Sequence, residues 1–271
     1  MGRSLIDAFT ERLVGEPAVL VAVEATQGSA PREAGAWMAV FAQALVGSVG
    51  GGHLEFDAIA IARRALAGEA IVPLHRFALG PSLGQCCGGV VHLRFEALQA
   101  ADAAPVRARL LAAADSQRMP VALFGGGHVG HAIVQALAPL PVRVHWVDSR
   151  DEVFPADLPR WIATEHSAPV QAAVAELAAQ SRVLVMSFSH AEDLDIVTAC
   201  LQRQRERADL PFVGLIGSQS KWASFAHRLE ARGFGAAELA HITCPIGVAG
   251  VVGKEPEVIA AAVAAQLMQM R

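Results

Sequence analysis

Phe124-Gly125-Gly126-Gly127-His128-Val129-Gly130 decides the fold of the second half of this 271-residue chain. The stretch is a GxGxxG that follows an apolar run at residues 121–124 and opens a helical pattern over 131–137. Glycines at these spacings permit a tight turn, close backbone approach to a phosphate and close helix–sheet packing, while the helix N-terminus favours negative charge. Asp148 ends the next apolar run, 18 residues beyond Gly130, where a carboxylate meets a ribose hydroxyl in dinucleotide-binding folds. A turn kept only for helix–sheet packing is the other reading of the same glycines.

Further apolar runs at 142–147, 183–187 and 212–216 are each followed by helical periodicity. That alternation predicts a parallel sheet with right-handed crossovers, a Rossmann-like doubly wound α/β domain over residues 118–271. In such a sheet all carboxyl ends open on one edge, so the polar groups just past the strands converge on a crevice. Here they are His128, then Asp148 and Arg150, then Ser187, Ser189 and His190, then Gly217, Ser218 and Lys221. Ser218 and Lys221 at a helix start suit an anion, although alone they read as an N-cap and a solvated lysine. His190 with Glu192, Asp193 and Asp195 resembles a metal cluster, but carboxylates at a helix start more often serve capping and the helix dipole.

Upstream of residue 100 the pattern changes. Ser4 and Asp7 precede a short helix ending by Gly15, and residues 18–25, 36–41, 45–49, 71–78 and 90–95 read as strands. One helix, 54–66, interrupts them, with Phe56, Ile59, Ala60, Arg63 and Leu66 spaced for one buried face. These elements predict a small N-terminal α+β domain over residues 1–100. Residues 99–105 are alanine-rich and weakly patterned and residues 112–117 end a short amphipathic helix, so residues 101–117 are expected to form a linker and hinge.

Composition excludes several classes of function. The net charge of −4 comes with no basic cluster, which argues against nucleic acid. No apolar run reaches the ~18 residues of a membrane span, and residues 1–7 carry no signal-peptide core or myristoylation pattern. Four cysteines (Cys86, Cys87, Cys200 and Cys244) make neither a disulfide framework nor a CxxC zinc pair, so a reducing cytoplasm is expected.

Three loops of the first domain carry its chemistry. In Gly80-Pro-Ser-Leu-Gly-Gln85-Cys86-Cys87-Gly88-Gly89, two adjacent thiols sit between glycines, a setting that suits a thiolate ligand or redox group better than core packing. Gly50-Gly51-Gly52-His53-Leu54-Glu55 is a glycine nest at a helix start, readable as an anion cradle or as a flexible turn with Glu55 favouring the dipole. Thr26-Gln27-Gly28-Ser29-Ala30-Pro31-Arg32 is a polar loop, ambiguous between turn and ligand contact. Cys200 falls in a helical pattern and reads as core; Cys244, before Pro245-Ile246-Gly247, sits at a strand end.

These motifs occur in order with Phe124–Gly130, with Gly217-Ser218, Lys221 and Phe225, and with Cys244-Pro-Ile-Gly247 and Gly253-Lys-Glu-Pro256. Together they closely resemble the XdhC/CoxI accessory proteins from about residue 18 to the C-terminus. The histidine in GGGHLE and the paired cysteines in QCCGG look like the xanthine dehydrogenase branch. The resemblance implies a molybdenum-cofactor chaperone rather than an enzyme. Such a protein binds molybdopterin-bound molybdenum, holds it while a cysteine desulfurase replaces an oxo ligand by sulfido, and delivers it to apo xanthine dehydrogenase.

Cys86 and Cys87 are then the expected thiolate ligands, since dithiolene-bound molybdenum favours soft donors. Gln27, Arg32, Gly50, Gly51, Gly52, His53, Glu55, Gln85, Gly88 and Gly89 are the expected cofactor contacts of the first domain. Gly125, Gly127, His128, Gly130, Asp148, His190, Ser218 and Lys221 are those of the second, for part of the cofactor or for a nucleotide. A homodimer is expected. Two other readings stay open: an NAD(P)-dependent oxidoreductase, though the chain has no tyrosine for a Tyr–Lys pair, and a persulfide-carrying sulfurtransferase.

Overall fold

The computed structural model describes residues 4–80 and 88–271 and divides into two compact units, Met1–Ser116 and Gln117–Arg271. Gln85, Cys86 and Cys87 lie outside the described residues.

The first unit is an antiparallel sheet in the order β3-β2-β1-β5-β4, made of β1 (Ala18–Gln27), β2 (Trp37–Val40), β3 (Leu45–Gly47), β4 (Leu74–Ala78) and β5 (Val90–Leu98). Period-two alternation sorts β1 between two cores. Val19, Val21 and Val23 face α2 (Gly52–Leu66), whereas Ala18 and Leu20 join Phe9 and Leu13 of α1 (Leu5–Leu13) and Val106 of α3 (Ala103–Ser116).

Two sequence expectations need correction here. Residues 101–117 are not an open linker: a 3-10 turn, Ala100–Asp102, leads into α3, whose Val106 is buried against α1, because one apolar stripe suffices to dock an otherwise alanine-rich helix. In α2 the buried seam is Leu54, Ala58 and Ala62, while Phe56 is 70% exposed. Small side chains every four residues let the helix axis approach the sheet closely, and that seam wins over the bulkier set centred on Phe56.

The second unit is a parallel sheet in the order β11-β10-β9-β6-β7-β8, formed by β6 (Met119–Phe124), β7 (Val142–Asp148), β8 (Ile162–His166), β9 (Arg182–Val185), β10 (Phe212–Leu215) and β11 (Ile242–Thr243). The strand order reverses between β6 and β9, the doubly wound switch point at which α/β sheets open a crevice. Two strands, β8 and β11, are additional to the sequence reading; both are short edge elements with weak apolar runs. Helices α4 (His128–Leu137) and α8 (Pro256–Met268) cover one face. On the other face lie α5 (His190–Arg207), α6 (Gln219–Ala231) and α7 (Ala236–Leu239). Apolar runs buried on both faces are what a parallel sheet between helix layers requires.

Candidate functional site

In the first unit the glycine motifs meet at one end of the sheet. The antiparallel order brings the end of β1, the ends of β3 and β4 and the start of β5 to the same edge. Close contacts at Gly50 and Gly89 then join the loops. A Cβ on Gly50 (φ +128°) would stand 2.6 Å from Pro31 Cγ, so the triple-glycine turn lies directly on the loop that carries Arg32. A Cβ on Gly89 would collide with the carbonyl oxygens of Ser29 and Gln27, so the residue that closes the Cys-Cys motif is packed against that same loop. Leu79 N–H donates to Gly89 O at 2.8 Å and continues the β4–β5 pairing by one step.

The nest itself is already filled from within. Glu55 Oε2 accepts from Ser48 Oγ at 2.6 Å, Val49 N at 3.0 Å and Gly51 N at 3.1 Å, and Gly50 N donates to Ser48 Oγ at 3.1 Å. Partial burial pushes the Glu55 carboxyl up. The Ser48 hydroxyl and the N–H groups of residues 49–51 outweigh it, and the net direction is down. Gly51 N and the Glu55 carboxylate, both expected as cofactor contacts, are thus bonded to each other, and Gly50 N is bonded to Ser48 Oγ. Gln27, Arg32, Gly52, His53 and Gly88 are exposed around these loops. The side chains of Gln27, Arg32 and His53 have no hydrogen-bond or ion-pair partner among the described residues.

The carboxyl edge of the second unit holds the other candidates. Gly125 receives Trp146 Nε1–H on its carbonyl at 2.9 Å, and a Cβ on Gly130 would strike that carbonyl, so Gly130 is required for helix–strand packing. Gly127 differs: its φ of −82° is ordinary and a Cβ there would meet nothing within 4 Å. His128 beside it is exposed as well.

Asp148, placed by sequence against a ribose, is instead 2% exposed and engaged on both oxygens. Gly126 N donates to Oδ2 at 2.5 Å, Arg150 N and Nε donate to Oδ1 at 2.8 and 2.9 Å, and Arg150 Nη2 donates to Oδ2 at 2.9 Å. Burial pushes this carboxyl up, but Arg150 and the backbone donors hold it below its usual range. Asp148 braces the glycine turn, and with four donors in place no oxygen is left open for a sugar.

Lys221 is likewise internal. Its Nζ donates to Asp193 Oδ2 at 2.6 Å and Ile216 O at 2.8 Å, with side chains only 11% and 3% exposed for Lys221 and Asp193. Asp193 Oδ1 also accepts from Ser187 N at 2.8 Å and Ser187 Oγ at 2.7 Å. Ser218 Oγ caps α6 by accepting Lys221 N–H at 3.2 Å, and Ser189 caps α5. The anion-contact expectation for Lys221 and Ser218 gives way to strut and cap. His190 is exposed, its ring 6.3 Å from that of Phe225, and no group of three His, Cys, Asp or Glu able to hold a metal occurs among the described residues.

Sequence reasoning missed what spans the switch point. β6 lies between β7 and β9, and across its carboxyl end the Arg150 guanidinium sits 4.8 Å from the Phe188 ring centroid. Ser149 Oγ adds a 2.6 Å hydrogen bond to Glu192 Oε1. Phe188, an aromatic residue one position past the 183–187 run, was the available signal. Of the described thiols, Cys200 is fully buried and pushed up to about 12, and burial holds Cys244 above its ordinary value despite nearby Lys221. Neither has the lowered pKa of a reactive cysteine.

Two family descriptions match the chain. The XdhC Rossmann domain covers residues 121–267, and the XdhC and CoxI family covers residues 12–78. The chain belongs to the XdhC/CoxI family. A crystal structure from Bacillus halodurans, described as a xanthine dehydrogenase, superposes with a TM-score of 0.71 at 18% identity, covering 99% of this chain and 96% of that one. At that identity the likeness carries the fold of both units and nothing finer. The uncharacterized protein YqeB of Escherichia coli (strain K12) is 23% identical over 259 residues, which are 94% of this chain and 44% of YqeB. The chain thus spans less than half the length of that curated relative. Among the described residues no helix is long and apolar enough to cross a membrane.

Proposed function

We propose that this XdhC/CoxI-family protein is a maturation factor for xanthine dehydrogenase that binds the molybdenum cofactor, keeps it during sulfuration and passes it to the apo-dehydrogenase. The observation that carries the reading is the meeting of the loops 27–32 and 47–53 with Gly88-Gly89, the flank of the Cys86-Cys87 motif, at one end of the first sheet. The donor set suits the group. Among the described residues Arg32 is a cation without a partner and Gln27 and His53 are polar heads without one, and the glycines allow backbone approach no side chain would permit. Bound there, the cofactor would supply molybdenum already held by sulfur, for which Cys86 or Cys87 is the soft protein ligand.

In this role the chain's own residues bind and shield rather than turn over a substrate. Gln27, Arg32 and His53 orient the ligand by charge and hydrogen bonding, and Glu55 keeps the glycine turn in shape from beneath. Partners under this reading are a cysteine desulfurase, the apo-dehydrogenase and a second copy of the chain, all in the cytoplasm. The oxidoreductase alternative is the weaker one, since Asp148 is spent on the turn and Arg150–Phe188 bridges the crevice. A persulfide carrier would have to use Cys86 or Cys87, because the described thiols are raised in pKa.

Activation of apo xanthine dehydrogenase with cofactor and desulfurase under anaerobic conditions tests the proposal. The wild-type chain should raise the activation yield severalfold over cofactor alone, and Arg32→Ala with His53→Ala should remove most of that gain. Equal yield with and without the chain would overturn it.

A further inference from the structure

β4 is an edge strand of the first sheet, paired with β5 along one side and with no strand along the other among the described residues. Phe95 N donates to Pro73 O and Leu79 N to Gly89 O, so the odd-numbered residues of β4 turn their peptide groups toward β5. The N–H and C=O groups of Leu74, Arg76 and Ala78 therefore point away from the sheet. None of them has a hydrogen-bond partner among the described residues.

Such a row is a template for another strand unless the chain blunts it by shortness, a bulge, proline or charge. The opposite edge of the sheet, β3, is blunted by length, with three residues. β4 has five, pairs with β5 without a bulge and contains no proline. Its side chains add apolar surface: Val72 and Leu74 are 60% and 45% exposed, and Ala78 is exposed as well.

Charge selects the occupant. Arg94, opposite Leu74, is neutralised by Glu24 through two hydrogen bonds of 2.7 Å. Arg76, opposite His92, is exposed and has no hydrogen-bond or ion-pair partner among the described residues. An added strand thus meets an aliphatic side chain at Leu74 and a free cation at Arg76, two residues apart on one face. Its complement is an apolar and an acidic residue at alternate positions. A second copy of the chain fits less well, because the register that pairs all five residues of β4 with themselves sets Arg76 directly opposite Arg76. Position matters too: β4 ends two residues before Gly80, at the end of the sheet where the loops 27–32 and 47–53 meet Gly89.

We infer that the free edge of β4 takes an extended, acidic segment of the apo-dehydrogenase as a sixth strand, by backbone pairing at Leu74, Arg76 and Ala78. The inference rests on the maturation reading for the identity of that partner; the pairing mode and the acidic character of the segment come from the edge itself.

Hydrogen–deuterium exchange over residues 73–79 of the full-length chain tests it, with the chain alone and dilute, with apo xanthine dehydrogenase, with cysteine desulfurase, and with the chain at high concentration. In the free chain the amides of Leu74, Arg76 and Ala78 should exchange fast, and saturating apo-dehydrogenase should slow all three by about tenfold or more. Ala78→Pro removes one outward N–H and leaves the β5 ladder intact, and Arg76→Glu reverses the charge. Each should weaken dehydrogenase binding about tenfold or more, whereas Arg63→Glu, at an exposed arginine of α2, should not. Thermal unfolding of Arg76→Glu should match the wild type, separating lost docking from misfolding. Dehydrogenase binding that leaves the three amides unprotected, protection only by desulfurase or by high chain concentration, protection by none of them, or affinities within twofold of wild type in both edge variants would overturn the inference. Activation of apo-dehydrogenase in the same preparations reports on the maturation reading independently, since activation without protection at β4 leaves that reading standing and removes the edge.

Discussion

Lys221→Ala should behave as a loss of folding stability in the second unit and not as the loss of a ligand contact. Lys221 Nζ and Asp193 Oδ2 are 2.6 Å apart with both side chains almost fully buried, and Ile216 O accepts the same ammonium. Removing one member of such a pair leaves an uncompensated buried charge, typically about 3–5 kcal/mol. Two donors from Ser187 stay on Asp193 and keep the cost at the lower end, about 3 kcal/mol. With an m-value of about 2 kcal/mol/M, the urea midpoint should fall by roughly 1.5 M. Tryptophan fluorescence reads the change, since Trp146, Trp161 and Trp222 all lie in the second unit. Asp193→Asn combined with Lys221→Met makes the site neutral and keeps an acceptor for Ser187 N, so it should recover much of the loss. A Lys221→Ala midpoint within 0.3 M of wild type, well inside the shift expected from about 3 kcal/mol, would refute the strut assignment.

Gly130→Ala should destabilise by about 1–3 kcal/mol because its methyl meets the Gly125 carbonyl, while Gly127→Ala should leave the unfolding midpoint nearly unchanged; paired denaturation curves decide between them. For Glu55 the folded pKa lies below its ordinary 4.5, so the ionised carboxylate contributes stability at neutral pH. That contribution should decline as pH falls from about 4.5 through the folded value, and Glu55→Gln should flatten this part of the stability–pH profile. In native protein at pH 8 Cys200 should resist thiol reagents and Cys244 should react slowly, whereas unfolding should expose both, as mass spectrometry of peptides containing each will show.

The doubly wound unit was legible because its signals are local. Glycine spacing at 125–130 and apolar runs before helical periods survive whatever the tertiary context does to them. Side-chain allegiance was not legible in the same way. Asp148, Lys221 and Glu55 sit where ligand-binding residues sit in related arrangements, and sequence carries no sign that a neighbour two or 28 positions away, or the backbone itself, has already claimed them. Their capture depends on distances that only the packed sheets set. The same holds for α2, where the seam of Leu54, Ala58 and Ala62 reflects how closely the helix can approach β1. Convergence of the three loops was implicit in the antiparallel order, which spacing along the chain does not encode.

The most direct measurement of the maturation reading is the metal and pterin content of protein purified anaerobically from cells making molybdenum cofactor. About one molybdenum and one pterin phosphate per protomer are expected, falling sharply in Cys86→Ala or Cys87→Ala and unchanged in Cys200→Ala, whose thiol is fully buried. Protein free of both molybdenum and pterin, or equal loading in all three variants, would contradict it.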